Sequence, residues 1–210
     1  MESTHETDVS KHRVTRFWSG AKYPLCRLSN FAQSCFTFEG VQYSSSEAAF
    51  QAQCFQEGFR KEFSSESNVG ALTEAAFVSL GVPPAKAATK LKHWKAKNQV
   101  GILSKMKSTQ MKSSKVNATR QPLSRDACEA VFKRILLEKY KADESARSAL
   151  LATGDDFLLE FDRGASRKLR QGHITRWAGM VVDGRVVGHN QQGSLQMWAR
   201  QQLRKMYATR

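Results

Sequence analysis

Long apolar runs are missing from this chain of 210 residues; its hydrophobic stretches extend for only a few positions. That excludes a spanning helix, which needs about 20 apolar residues. The opening segment, Met1 to Lys11, is polar and acidic rather than basic and then apolar. No secretory signal is legible in it, so a cytoplasmic or nuclear location without membrane attachment is expected. Cysteine is scarce as well. Cys26, Cys35, Cys54 and Cys128 form no CxxC pair and no His/Cys spacing suited to zinc, so reduced thiols and no metal are expected. The most informative absence is of acid. From Ala75 through Arg125 there is no Asp or Glu, while Lys86, Lys90, Lys92, Lys95, Lys97, Lys105, Lys107, Lys112, Lys115, Arg120 and Arg125 are all positive. These eleven residues carry most of the formal net charge of +14. A potential of one sign held over such a stretch attracts polyanions and speeds their encounter. Lys90, Lys92, Lys95 and Lys97 are the candidate nucleic-acid contacts. A solvated basic helical insertion, about 85–125, explains the same run without any partner.

What is present is ordinary globular composition, 40% hydrophobic and 25% charged. It suits one domain with one continuous core and argues against a disordered chain. Residues 1–15 lack periodicity and read as a disordered tail, leaving 16–210 as the folded domain. Alternating aromatics from Cys35 to Tyr43 around Glu39-Gly40 predict a hairpin, and Val181 to Val187 around Asp183-Gly184 predict another. Ser44-Ser45-Ser46-Glu47 has capping-box spacing, with Ser44 as N-cap, and predicts a helix to Phe55. Further helices are expected over Val69–Leu80, Ala85–Lys107, Ser124–Lys141, Ser145–Leu151 and Ser194–Tyr207. Ser108 to Leu123 reads as a loop, Thr153 to Asp156 as a turn and Phe157 to Phe161 as a strand. The fold class is α+β, mainly α, with small β hairpins.

Polar residues on apolar helix faces are the first candidates for chemistry. Glu47 and Gln51 lie one turn apart beside Phe50, so a carboxylate and an amide share a stripe. Glu47 is either a proton-transfer group or half of a capping box. Lys139 stands four residues after Ile135 on the inward stripe of its helix. It is either a desolvated amine or a side chain snorkelling at a helix end that favours cations. Gly188-His189-Asn190-Gln191-Gln192-Gly193 runs directly into the last helix. Its N–H groups can meet phosphate or ribose oxygens, or it is a surface turn with a good cap.

Taken in order, these segments resemble the NADAR family, also called YbiA-like, from Phe17 to Leu203. Leu28-Ser29-Asn30-Phe31-Ala32 is similar to the family's SNF block. Glu39-Gly40 through Tyr43-Ser44-Ser45-Ser46-Glu47-Ala48-Ala49-Phe50-Gln51-Ala52-Gln53-Cys54-Phe55 is similar to its DG-x-x-[YW]-x-[ST]-x-E-H-x-[FY]-Q-A-x-K-F stretch. Lys139-Tyr140 resembles its KF. Leu150-Leu151-Ala152-Thr153-Gly154 with Leu159-Glu160 resembles LL-x-T and the L-[VI]-E strand, and Trp177-Ala178-Gly179 follows. Gly188 through Gly193, with Met197 and Arg200, resembles the closing G-x-N-x-x-G-x-x-L-M-x-x-R. The resemblance implies a YbiA-like α+β fold and cleavage of an N-glycosidic bond to ribose without a cofactor. It makes Glu47 the catalytic carboxylate and Lys139 the active-site lysine. Trp177 becomes a base-stacking wall, and Asn30, Phe31, Gln51, Gly188, Asn190 and Arg200 become substrate contacts. Three departures stand out: Ala48 replaces the family's His, Cys54 replaces its Lys, and the acidic residue before the Trp has no counterpart at His173-Ile174.

Three functions follow from this reading. The first expectation is that the chain removes ADP-ribose from ADP-ribosylated guanine in DNA, RNA or nucleotides. Alternatively, it is an N-glycosidase on ribosylaminopyrimidine phosphates of riboflavin synthesis, or a catalytically silent module that binds ADP-ribose or nucleic acid. The acid-free window favours a polyanionic substrate, the departures favour the silent module, and no obligate protein partner is evident.

Overall fold

The computed structural model describes residues 7–65 and 123–208. In chain order, the strands are β1 (Thr7–Asp8), β2 (Val14–Phe17), β3 (Phe36–Phe38), β4 (Val41–Tyr43), β5 (Phe157–Glu160), β6 (Met180–Val182) and β7 (Arg185–Val187). The helices are α1 (Ser46–Gln53), α2 (Glu57–Arg60), α3 (Arg125–Ala142), α4 (Glu144–Leu151), α5 (Arg163–Arg170) and α6 (Gln191–Ala208), with 3-10 turns at Leu25–Leu28 and Lys61–Phe63. The fold is α+β with small sheets, as expected from the sequence. The helices expected over Val69–Leu80 and Ala85–Lys107, the loop to Leu123, and Lys90, Lys92, Lys95 and Lys97 lie outside the described residues. Contacts group the chain into two compact units, Met1–Ser29 with Glu144–Arg210 and Asn30–Asp143.

In the first unit, β1, β7 and β6 form an antiparallel sheet, and β2 pairs in parallel with β5. Residues 7–15 are therefore not a tail. Val9 is buried with Leu159 and Val186, Val14 packs on that cluster, and Thr15 Oγ1 donates to Asp156 at 2.6 Å. The polar local sequence concealed this because both strands find their partners more than a hundred residues further along. The Asp183-Gly184 turn is a tight hairpin, its two residues at φ 49° and 75° as the type I′ geometry demands.

One edge of β5 is taken by β2. The other is closed by side chains and a loop instead of a strand. Leu158 N–H donates to Met197 Sδ (3.5 Å), and Asn190 Nδ2 donates to the Leu158 carbonyl (2.8 Å). Asn190 Oδ1 accepts from Glu160 N–H (3.0 Å), and Gly179 N–H donates to the Glu160 carbonyl (3.3 Å). Buried backbone groups need such partners, and one primary amide reproduces what a neighbouring peptide would offer. Asn190 holds φ 44°, a left-handed conformation that asparagine tolerates better than most residues. The approach also requires Gly193, where a Cβ would overlap the Leu158 oxygen and the Asn190 amide. Helix α6 thus begins at Gln191, three residues before the expected Ser194.

The second unit is built on the β3–β4 hairpin, whose turn residues Glu39 and Gly40 take φ 49° and 75°. Helix α3 is capped by the Ser124 hydroxyl, which accepts from Ala127 N–H, and it buries Cys128, Phe132, Ile135, Leu136, Lys139 and Tyr140 along one face. Helix α1 packs against it through Phe50 and Phe132, stacked at 4.3 Å between centroids. The two run antiparallel. Ser34 accepts no choice of end: its N–H donates to the Ser44 carbonyl just before α1, and its hydroxyl donates to Asp143 just after α3 (2.6 Å). At the opposite end, Arg60 beyond α1 and Arg134 within α3 bind the two oxygens of Glu39, each at 2.9 Å.

Candidate active site

The first turn of α1 and the last turn of α3 meet at the same end of this antiparallel pair, and they carry Glu47 and Lys139. Glu47 is 6% exposed and Lys139 is 0% exposed. Glu47 is not half of a capping box. The N-cap is Ser45, whose hydroxyl accepts from Ala48 N–H at 3.1 Å, so Glu47 sits one position earlier than a capping-box glutamate would. Three consecutive serines offer three registers for the cap, and the structure uses the middle one. The Glu47 carboxylate instead accepts from Gln51 Nε2 at 2.9 Å, one turn along the helix. Its N–H donates to the Asn30 carbonyl at 3.0 Å, which ties the SNF segment to α1. Asn30 is buried and Phe31 half-buried. The hydroxyls of Ser44 and Ser46, flanking this turn, are buried without a hydrogen-bond partner among the described residues. Buried polar atoms are almost always paired, so these two hydroxyls have hydrogen-bonding capacity to spare beside Glu47.

Lys139 does not snorkel. Full burial removes the water that a snorkelling ammonium seeks, and its Nζ lies 5.3 Å from the centroid of the Tyr140 ring. Helix α3 ends in the expected place, with Asp143 N–H donating to the Lys139 carbonyl. Tyr43, which closes β4, is also wholly buried, and burial pushes its phenol up to about 12, only partly opposed by Arg60. Cys54, expected on the same stripe as Glu47 and Gln51, is the C-cap of α1, its thiol directed at the Phe50 carbonyl at 3.7 Å.

The remaining candidates belong to the first unit, and most of them engage the protein's own chain. Both ends of the Asn190 amide are taken by β5. In the turn from Gly188 to Gly193, the N–H groups of His189, Gln191 and Gln192 donate to the carbonyls of Thr175, Arg176 and Trp177. Gly188 takes φ 90° in the same turn. Trp177 is half-buried, with the Arg176 guanidinium 4.6 Å above its ring. Arg200 is buried and donates to Thr153 Oγ1 at 2.7 Å and to the Asp156 carbonyl at 2.9 Å, pinning the turn before β5. Burial lowers its pKa from the ordinary guanidinium value.

All four cysteines are free thiols. Among the described residues, no group of three or more His, Cys, Asp or Glu is placed to hold a metal ion, and no helix is long and apolar enough to cross a membrane.

These elements define an α+β protein whose buried carboxylate and buried lysine lie at one end of a helix pair. Among solved structures, the chain is similar to the E. coli protein YbiA determined by NMR, at 20% identity over 100% of this chain and 94% of that one, with a TM-score of 0.55. That likeness establishes a YbiA-like fold. No protein-family model matches the sequence, and no curated protein does.

Proposed function

We propose that the chain is an N-glycosidase that cleaves the bond between ribose C1 and the exocyclic amine of a base, with ADP-ribosylated guanine as its substrate. One observation carries this reading: a carboxylate and a lysine amine, both withdrawn from water, are held at one end of α1 and α3. Burial of two such groups is costly and needs a compensating role.

The chemistry follows from the two side chains. Glu47, as the acid, protonates the ribose ring oxygen. The C1–O bond opens and leaves C1 doubly bonded to the exocyclic nitrogen as an iminium. The Lys139 amine adds to C1, a proton passes to the guanine nitrogen, and guanine leaves with its amine restored, so that C1 becomes an imine of the lysine. Glu47, now the base, takes a proton from water as it adds to C1. Collapse of that adduct returns the free lysine and an aldehyde that recloses to ribose. Gln51 holds the carboxylate from one side, and the Ser44 and Ser46 hydroxyls beside it, unpaired among the described residues, are free to bond the sugar. Trp177, Asn190 and Arg200 carry no part of this reading. The acid-free window from Ala75 to Arg125 supports a nucleic-acid form of the substrate.

The test is incubation with guanine-ADP-ribosylated DNA, measuring released ADP-ribose. Glu47→Gln should lower turnover at least about a hundredfold, as expected for loss of acid–base catalysis. Its melting temperature should barely move, because Ser45 provides the cap. Lys139→Met keeps the buried volume and should be inactive, and borohydride should trap a substrate adduct on the wild type alone. No release by the wild type refutes the substrate; an active lysine variant refutes the imine route.

A further inference from the structure

The first unit contains a cavity of about 500 Å³ lined by Arg16, Leu159, Phe161, Arg167, Arg170 and Val181, with Gly179 and Met180 completing the wall. Its size falls in the range of small-molecule sites. Three strands and a helix build it. Arg16 on β2 lies opposite Leu159 of β5 in the parallel register, Val181 belongs to β6, and Arg167 and Arg170 stand three apart on one face of α5. That helix is basic throughout, with no acid in its first turn and Arg167, Lys168 and Arg170 in its last.

Two features specify what the cavity suits. The first is electrostatic: three arginines line the wall, no carboxylate is among the lining residues, and none of the three is ion-paired among the described residues. The guanidinium fork matches phosphate oxygens in pairs. The second is apolar: Leu159, Phe161, Met180 and Val181 form a wall that a bare inorganic anion would leave unmatched. The Phe161 ring is braced edge-on against Trp18, with centroids 5.3 Å apart and planes at 66°, so a flat aromatic group meets a fixed surface.

We propose that this cavity binds a phosphate ester carried on a flat aromatic group, either a free nucleotide or the phosphorylated end of a nucleic-acid strand. The site uses neither Glu47 nor Lys139, so it stands or falls independently of the glycosidase reading.

Titration calorimetry of the full chain tests it with five probes: guanosine monophosphate, guanosine, inorganic phosphate, and a short single-stranded oligonucleotide with and without a 5′-phosphate. Guanosine monophosphate should bind more tightly than guanosine or inorganic phosphate. Arg16→Gln and the double variant Arg167→Gln/Arg170→Gln should each weaken it about tenfold or more, as loss of charge-assisted hydrogen bonds implies. The three arginines are exposed, so melting temperatures should hold. Where a glutamine variant is unstable, Arg16→Lys and Arg167→Lys keep the charge, lose the fork and should give smaller losses. Phe161→Leu should weaken the nucleotide and leave inorganic phosphate unchanged. Tighter binding of the 5′-phosphorylated strand than of the mononucleotide identifies the strand end as the source, and the reverse order identifies the free nucleotide. Nucleotide affinity equal in the wild type and the arginine variants, no binding by the wild type, or inorganic phosphate binding as tightly as the nucleotide overturns the proposal.

Discussion

Replacing Asn190 decides whether this residue serves the fold or a ligand. Its amide donates to the Leu158 carbonyl at 2.8 Å and accepts from the Glu160 N–H at 3.0 Å, and the residue is 2% exposed. Truncation leaves a backbone donor and a backbone acceptor without their partner at an edge that water does not reach. Each such loss costs about 1–3 kcal/mol, so Asn190→Gly should destabilise by about 2–6 kcal/mol. Alanine must also hold the positive φ of 44°, which adds roughly 1 kcal/mol. Asn190→Ala should therefore be less stable than Asn190→Gly, an inversion of the usual order of these two residues. At roughly 2–4 °C per kcal/mol for a chain of this size, the alanine variant should melt at least about 6 °C below the wild type. Asn190→Asp keeps the acceptor for Glu160 but sets a carboxylate oxygen against the Leu158 carbonyl, and should be no better than alanine. Urea denaturation of the four proteins measures this. An alanine variant as stable as the wild type, with ligand binding lost, would move Asn190 from the fold to the substrate.

Two further outcomes are expected. Tyr43 ionises near 10 in the unfolded chain and at about 12 when folded, so its neutral form is favoured by folding; stability is full below pH 10 and falls by about 2 kcal/mol as pH rises to 12. Tyr43→Phe should lack that part of the alkaline loss, and at pH 8 it should be at least as stable as the wild type because the hydroxyl has no hydrogen-bond partner among the described residues; identical pH profiles would refute the assignment. Replacing Lys90, Lys92, Lys95 and Lys97 with Gln should weaken oligonucleotide binding and flatten its salt dependence, which runs at a slope of about 0.7–0.9 per phosphate contacted, while turnover of a small ADP-ribosyl-guanine compound stays near normal. Equal loss on both substrates would place those lysines in the catalytic pocket.

Local signals were readable where local chemistry decides the outcome. Glu39-Gly40 and Asp183-Gly184 announce their turns because few residues accept two successive positive φ values, and the apolar face of α3 is written at helical spacing with its Ser124 cap. Strands β1 and β2 were not readable, since two and four residues of polar-rich sequence become strands only through partners far along the chain. Within the site, Glu47 and Lys139 stood out as polar groups on apolar faces, and the structure buries both. The cap register was missed because Ser44, Ser45 and Ser46 are chemically equal candidates. The family resemblance makes Asn190 and Arg200 ligand contacts, and the structure shows what one-letter code cannot, that both bond the chain around β5. The arginine cavity has no local signature, because its three cations come from β2 and α5, which only the fold brings together; the basic run from Arg163 to Arg170 is its one trace in the sequence.

The pairing of β2 with β5 has a consequence for how the chain acquires its shape. Val14 faces Phe157 and Phe17 faces Glu160, so a ribbon of four residues closes a loop spanning well over half the sequence. Joining ends so far apart costs about 4 kcal/mol of chain entropy by the logarithmic law, before any contact offsets it. Long closures of this kind slow folding. During synthesis β2 must wait for β5, Met197 and Asn190 to emerge, while all of Asn30–Asp143 is made in between. The second unit thus completes its own sequence first, and the first unit is the last to assemble.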